Sequence, residues 1–235
     1  RTPVLRRALR ALWWRLPPAI PHTPVEVVTP NGPHGQGEDR RWFTDRFPGA
    51  LEQKLAAVER IRQNRFSFLG TGMVAWGDPI DWNHDVKSGH RWPSRFYAEF
   101  ADRELMPGDG VDVKVPWELS RLHHFVTLGQ VWWLTRDESS GTALHAQWES
   151  WTRANPAPYG INWANVMEVA IRSVNLSWSE RLLSDAPPPT DPGSSAFGST
   201  LRQHGIFIER NLEVGVQGGQ IFAANHYLAN VCGLA

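Results

Sequence analysis

The chain is short of cysteine, of tyrosine and of net charge, and each shortage removes a class of protein. Its single cysteine, Cys232, excludes an internal disulfide framework. Basic and acidic residues balance at 24 each, so no bulk charge draws it to nucleic acid or to an anionic membrane surface. No apolar run reaches the ~18 residues that a membrane-spanning helix needs. Asp78, Asp81, His84, Asp85 and His90 crowd one segment, but they fit neither an HExxH zinc motif nor an EF-hand loop. No metal or other cofactor is therefore expected. The first stretch, RTPVLRRALRALWWRLP, is basic and amphipathic and lacks the continuous apolar core and cleavage site of a signal peptide.

What the chain does have is tryptophan, 13 residues against 3 tyrosines. A buried indole needs a partner for its N–H, and its flat face stacks on sugar rings and cations. In a helical protein this richness points towards a carbohydrate cleft. The length, 235 residues, suffices for one large domain or two small ones with a substantial core.

Residues 17–40 are dense in Pro and Gly and read as an extended connector, so residues 1–45 form a basic, Pro/Gly-rich N-terminal extension. Helical spacing then recurs over Phe47–Asn64, Trp117–Leu134, Thr142–Ala154 and Leu201–Leu212, and a last helix carries Asn225 and His226. Residues 65–100 are irregular, with a short strand near Phe66 and Phe68, and are expected to be held by Trp76, Trp82 and Trp92 packing on the domain. Strand signals are few. The expected class is mainly α, built of helices joined in antiparallel hairpins.

The organising stretch is Tyr159–Trp178. Asn155, Pro156, Pro158 and Gly160 make a turn, after which Asn162 is placed to cap a helix. Trp163, Val166, Met167, Ala170, Ile171 and Val174 share one face at roughly 100° per residue. Asn165, Glu168, Arg172 and Asn175 take the other, a solvated polar face on which Glu168 and Arg172 pair across one turn. In the preceding helix Glu118 projects into an apolar arc, and Arg121 is its natural partner, as a structural ion pair or as part of a site. His123 and His124 point apart and cannot share one ion. Asn175-Leu176-Ser177 matches a glycosylation sequon by chance, inside a helix.

Three ordered segments, KVPWELSR, WxxxNPxxxGINWxxxMEVAIR and ANHYLANVCGL, together resemble the N-terminal part of heparinase II/III-like polysaccharide lyases, a family with alginate lyase-like members. The resemblance runs from about Phe66 to Ala235. It implies an incomplete (α/α) toroid of antiparallel helical hairpins over residues 46–235, truncated before the family's β-sandwich domain. It implies an acidic polysaccharide as substrate and β-elimination at a uronate as the reaction. It favours a periplasmic or secreted location, with no nucleic-acid or membrane partner. Asn225 then contacts the uronate carboxylate, with His226 as a second contact or a helper in proton transfer. Asn162, Trp163, Glu168, Arg172, Trp117, Glu118 and Arg121 bind sugar or fix the cleft walls. The family's catalytic tyrosine lies downstream of the Asn-His helix. Tyr159 and Tyr227 do not occupy its place, so residues 1–235 alone are expected to be inactive.

Two other readings remain. A glycoside hydrolase on a related toroid needs two carboxylates across the scissile bond, and only Glu118 and Glu168 qualify, each with an Arg one turn on. A non-catalytic carbohydrate-binding or polysaccharide-biosynthesis-linked module would keep the fold without the chemistry. The lyase reading expects Asn225, His226, Asn162 and Arg172 to face one concave surface.

Overall fold

Apolar residues recur at helical spacing through most of the chain, and helices form wherever that spacing is unbroken. The computed structural model describes residues 12, 36–184, 186, 197–217 and 220–235. Among them the helices are α1 (Gln36–Arg46), α2 (Ala50–Arg62), α3 (Asp102–Leu105), α4 (Lys114–Ser120), α5 (His123–Thr135), α6 (Glu138–Ala154), α7 (Val166–Leu182), α8 (Phe197–Arg210) and α9 (Asn225–Leu234). Two short antiparallel ladders accompany them: β1 (Arg65–Phe66) with β2 (Val74–Ala75), and β3 (Gly215–Gln217) with β4 (Gln220–Phe222). The chain is mainly α, with α5 on α6, α5 and α8 on α7, and α9 against both α7 and α8. This side-by-side stacking of helical hairpins is that of an incomplete α/α toroid. Among the described residues no helix is long and apolar enough to cross a membrane.

The N-terminal connector ends sooner than its composition suggests. Helix α1 starts at Gln36 and rests on α5. The rest of the connector and the basic first stretch lie outside the described residues, Leu12 excepted, as does most of the Pro- and Ser-rich loop after α7.

The central finding concerns α7. Its supposed solvated face is buried: Glu168, Arg172 and Asn175 are enclosed, while Met167, Ile171 and Val174 are only partly covered. The cause lies in the preceding segment. The expected continuous helix from Trp117 to Leu134 is broken at Leu122, whose left-handed backbone (φ 62°) separates α4 from α5. A break in a helix strands carbonyls that must find donors. Here they find them on α7: Asn175 Nδ2 donates to the Arg121 carbonyl at 2.8 Å, and Arg172 Nη1 to the Ser120 carbonyl at 3.3 Å. Asn175 is thereby occupied and buried, which removes it as a glycan acceptor. Helix α7 is wrapped by α4, α5, α8 and α9, so its polar residues serve the interior.

Capping also moves. Asn165, not Asn162, caps α7, accepting from the Glu168 N–H at 3.4 Å. Asn162 sits in a 3-10 turn (Ile161–Trp163) and is fully buried. Its amide donates to the Trp82 carbonyl at 3.0 Å and to Asn155 Oδ1 at 2.8 Å, fastening the irregular segment to the helices.

Among the described residues the tryptophans are mostly core. Trp76, Trp82 and Trp92 are buried and anchor the irregular segment, with Trp82 donating to Ser150 Oγ and Trp92 to the Glu104 carbonyl. Trp117 and Trp163 give their N–H groups to the carbonyls of Ile161 and Asn155. Trp42 and Trp178 are well exposed. Tryptophan richness here mainly fills the core, with several indole N–H groups donating to carbonyls or serine hydroxyls.

Helix α9 packs against α7 at Gly233. A Cβ at Gly233 would stand 2.7 Å from Ala170 Cα, so only glycine lets the two backbones meet. Gly233→Ala is expected to lower unfolding stability by about 1–3 kcal/mol through overpacking. Gly205→Ala in α8, where nothing lies within 4 Å, is expected to be neutral or to stabilise by up to about 1 kcal/mol. Equal effects in urea unfolding would contradict the close approach.

Candidate functional site

Arg172 is a guanidinium at 0% exposure with no carboxylate within ion-pair distance among the described residues. Its Nε donates to His204 Nε2 at 2.8 Å, and its Nη2 to the Asn162 carbonyl at 3.0 Å. The planar group lies over the Trp151 ring, 4.3 Å from its centroid, with Trp163 at 5.4 Å. Burial pushes Arg172 down to about 9, against a smaller upward pull from Glu168, so it remains cationic at neutral pH. His204 Nδ1 lies 2.8 Å from the Thr200 carbonyl, which fixes the proton on Nδ1 and leaves Nε2 free to accept. Burial, and then the neighbouring Arg172 charge, hold His204 well below the ordinary histidine range.

Arg121 forms the second cluster. Its guanidinium is bidentate to Glu168, Nε to Oε2 at 2.7 Å and Nη2 to Oε1 at 2.9 Å, and its Nη1 reaches Glu118 at 2.5 Å. The expected Glu118–Arg121 pair is present. The expected Glu168–Arg172 pair is not, because Glu168 turns to the stranded end of α4, where a planar fork fits it better than one helical turn allows. The bond to Glu168 raises Arg121 above its ordinary value, against the opposing effect of burial. Glu168 is nearly sealed, and Glu118 keeps 24% of its side chain exposed. The two carboxylates converge on one guanidinium; they do not flank open space.

The third cluster stands at the start of α9. Asn225 is the first residue of the helix and is exposed; His226 follows, partly covered. The N-cap residue is Ala224, which offers no side-chain acceptor to the first-turn N–H groups. An open hollow of about 460 Å³ lies against this end, lined by Ala223, Ala224, Asn225, Tyr227, Leu228 and Val231. Behind it His226 Nδ1 meets Glu213 Oε1 at 2.9 Å. Glu213 is gripped by buried Asn230: its backbone N–H donates to Asn230 Oδ1 at 2.8 Å, and Asn230 Nδ2 donates to Glu213 Oε2 at 3.2 Å.

The structure therefore brings Asn225 and His226 together at a solvent-facing helix end. Asn162 and Arg172 do not join them on a concave surface, and Trp163 is sealed with them, because their polar atoms are committed to Trp82, Asn155, Ser120 and His204. Trp117 is at the edge of burial, and Glu118 and Arg121 are partly exposed at the α4–α5 break. Three polar residues of these clusters escaped sequence reasoning: His204, Glu213 and Asn230. Asn230 follows His226 by one helical turn and was findable by spacing. Glu213 was not, since the β3–β4 hairpin folds it back on His226. Among the described residues no three His, Cys, Asp or Glu side chains are grouped to hold a metal ion.

A family model described as heparinase II/III N-terminus matches residues 49–229. That span includes KVPWELSR, MEVAIR, Asn225 and His226. No curated protein and no solved structure matches the chain.

Two buried histidines predict acid lability. Burial pushes His124 down to about 3 from an ordinary 6.5, and His204 moves the same way. Each is depressed in the folded state, so its stability contribution is full above 6.5 and is lost as pH falls towards the folded value. Each is expected to cost about 1.4 kcal/mol per pH unit in that window. Unfolding free energies measured at several pH values should show this slope, reduced in His124→Gln; an unchanged slope in that variant would contradict the assignment.

Proposed function

The chain belongs to the heparinase II/III N-terminus family, and from that membership we propose that it supplies one wall of a polysaccharide lyase site that cleaves an acidic polysaccharide at a uronate by β-elimination. The observation that carries this reading is the uncapped N-terminus of α9, which presents Asn225 beside an open hollow. The proton alpha to a uronate carboxylate is only weakly acidic. Its removal becomes feasible when the carboxylate charge is neutralised, so that the enolate-like charge is tolerated. The Asn225 amide and the free first-turn N–H groups of α9 are donors of that kind, and the positive end of the helix dipole adds to them. The rest of the hollow is lined by Tyr227 and the exposed apolar side chains of Ala223, Ala224, Leu228 and Val231.

In this reading the reaction needs a base for the alpha proton and an acid for the departing glycosidic oxygen. His226 follows Asn225 on α9, but its ring is turned to Glu213 and it does not line the hollow. Tyr227 lines the hollow, but the resemblance places the catalytic tyrosine further downstream, so no acid is assigned to this chain. Glu168, Arg121, Glu118 and Trp117 fix the α4–α7 wall, and Arg172, Asn162 and Trp163 lock its interior. A hydrolase fits poorly. Its two carboxylates should face each other across the substrate, whereas Glu118 and Glu168 share one guanidinium.

The test uses the full-length protein with heparin, heparan sulfate, alginate, hyaluronan and glucuronan. β-Elimination leaves an unsaturated uronate, read as rising ultraviolet absorbance. A rise on one polymer is expected, with kcat/KM reduced about 100-fold or more in Asn225→Ala, the scale of losing an oxyanion donor. New reducing ends without absorbance would mean hydrolysis and overturn the reading. Binding with neither signal would make the domain a carbohydrate-binding module.

A further inference from the structure

A second hollow, of about 320 Å³, lies where the C-terminal end of α2, residues 78–80 and α6 meet, and it shares no lining residue with the one at α9. Hydrogen bonds between distant segments fix its floor. Gln147 Nε2 donates to the Ile61 carbonyl and to Asn64 Oδ1, both at 2.9 Å, and Asn64 Nδ2 donates to the Gly77 carbonyl at 2.9 Å. Trp82 Nε1 donates to Ser150 Oγ at 3.1 Å, and a hydroxyl that accepts one bond still has its own hydrogen to give. The same hollow is lined by two guanidiniums, Arg62 from α2 and Arg153 from α6, and by the carboxylate of Asp78. Among the described residues each arginine pairs with a glutamate of its own helix, Glu59 at 3.5 Å and Glu149 at 3.2 Å, and neither pairs with Asp78. Exposed pairs of that kind are weak and readily exchanged for a better partner.

We propose that this hollow is a second saccharide site, one that holds an anionic sugar unit of the polysaccharide away from the reacting position. The ligand class rests on the acidic-polysaccharide reading; the site itself rests on charges of both signs that line one space without pairing. A planar guanidinium matches a carboxylate or a sulfate through two parallel bonds. Arg62 and Arg153 come from different helices and together cradle such a group. Asp78 repels a bare anion, but its carboxylate accepts from sugar hydroxyls, and the Ser150 hydroxyl can donate to them. A neutral sugar, conversely, gives two guanidiniums no anion to hold. A ligand with both an anionic group and hydroxyls satisfies every member of the set. The volume is at the small end of ligand sites, which suits one sugar unit of a longer chain. Binding there adds affinity for chains that reach both sites and leaves the chemical step unchanged. Local spacing hides the site, because Arg62, Asp78 and Arg153 belong to three separate segments.

The experiment reads binding and turnover separately in the full-length protein. Calorimetry in the Asn225→Ala variant, whose α9 end is weakened, uses short oligosaccharides of three kinds: unsulfated with uronate, sulfated without uronate, and neutral. Binding of the first, the second or both is expected and names the anion as carboxylate, sulfate or either. Arg62→Gln together with Arg153→Gln is expected to weaken that binding about 10-fold, the scale of losing charge-assisted hydrogen bonds. Asp78→Asn should also weaken the saccharide and should not weaken inorganic sulfate. With Asn225 intact, the arginine double variant should raise KM on the polymer about 10-fold and keep kcat within about twofold. Both arginines are exposed, so an unchanged unfolding midpoint separates lost binding from lost folding. Unchanged affinity and KM in the double variant would overturn the proposal, as would equal binding of the neutral chain. An Asp78→Asn variant that binds the saccharide as wild type does would reduce the hollow to a plain anion site and overturn the sugar assignment. If the wild type cleaves no uronate polymer, the lyase reading fails, while the calorimetry still decides whether this hollow takes an acidic sugar.

Discussion

The structure depends on a buried positive charge that has no anion in contact with it among the described residues. An arginine removed from water costs several kcal/mol unless its donors and its charge are met. Arg172 is met by parts of the chain that are distant in sequence: the Ser120 carbonyl at the end of α4, the Asn162 carbonyl in the 3-10 turn, His204 on α8 and the Trp151 face on α6. None of these can shift without leaving a charged donor unsatisfied. One side chain on α7 therefore sets the relative placement of four neighbouring elements, and the Leu122 break is part of the same arrangement because it frees the carbonyls that α7 addresses.

From α7 the constraint passes to α9. Gly233 brings the α9 backbone against Ala170, which lies between Glu168 and Arg172 along α7. The end of α9 that carries Asn225 and His226 is steadied from the other side by Glu213 and Asn230. The interior polar network and the exposed helix end are thus two parts of one construction. The first fixes a scaffold. The second leaves its donors free, as an anion-binding helix end requires. Residues of similar chemistry divide between the two by burial, which is why Asn162 serves the core and Asn225 faces solvent.

Much of the fold was legible in the sequence because it follows from local periodicity and turn chemistry. The hairpin helices, the turn at Asn155–Gly160 and the Glu118–Arg121 pair all rest on neighbours within a turn or two. Errors arose where a distant partner overruled the local one. Asn162 was the expected cap, but tertiary bonds to Trp82 and Asn155 claimed it and left the role to Asn165. Glu168 had Arg172 one turn away but pairs with Arg121, 47 residues distant. A polar stripe on a helix reads as solvent-facing unless the stranded carbonyls of another helix are known, and a left-handed leucine gives no compositional sign of itself. Of the candidate site, the Asn-His pair was readable through the family resemblance. Glu213 became visible only when the β3–β4 hairpin brought it back to His226.

The most direct measurement is a crystal structure of the full-length protein with a uronate-containing oligosaccharide bound. The account predicts a uronate carboxylate within about 3 Å of Asn225 Nδ2 and of first-turn N–H groups of α9, the range of a charge-assisted hydrogen bond. An oligosaccharide whose carboxylate instead sits at Arg121, or which leaves the α9 hollow empty, would contradict it.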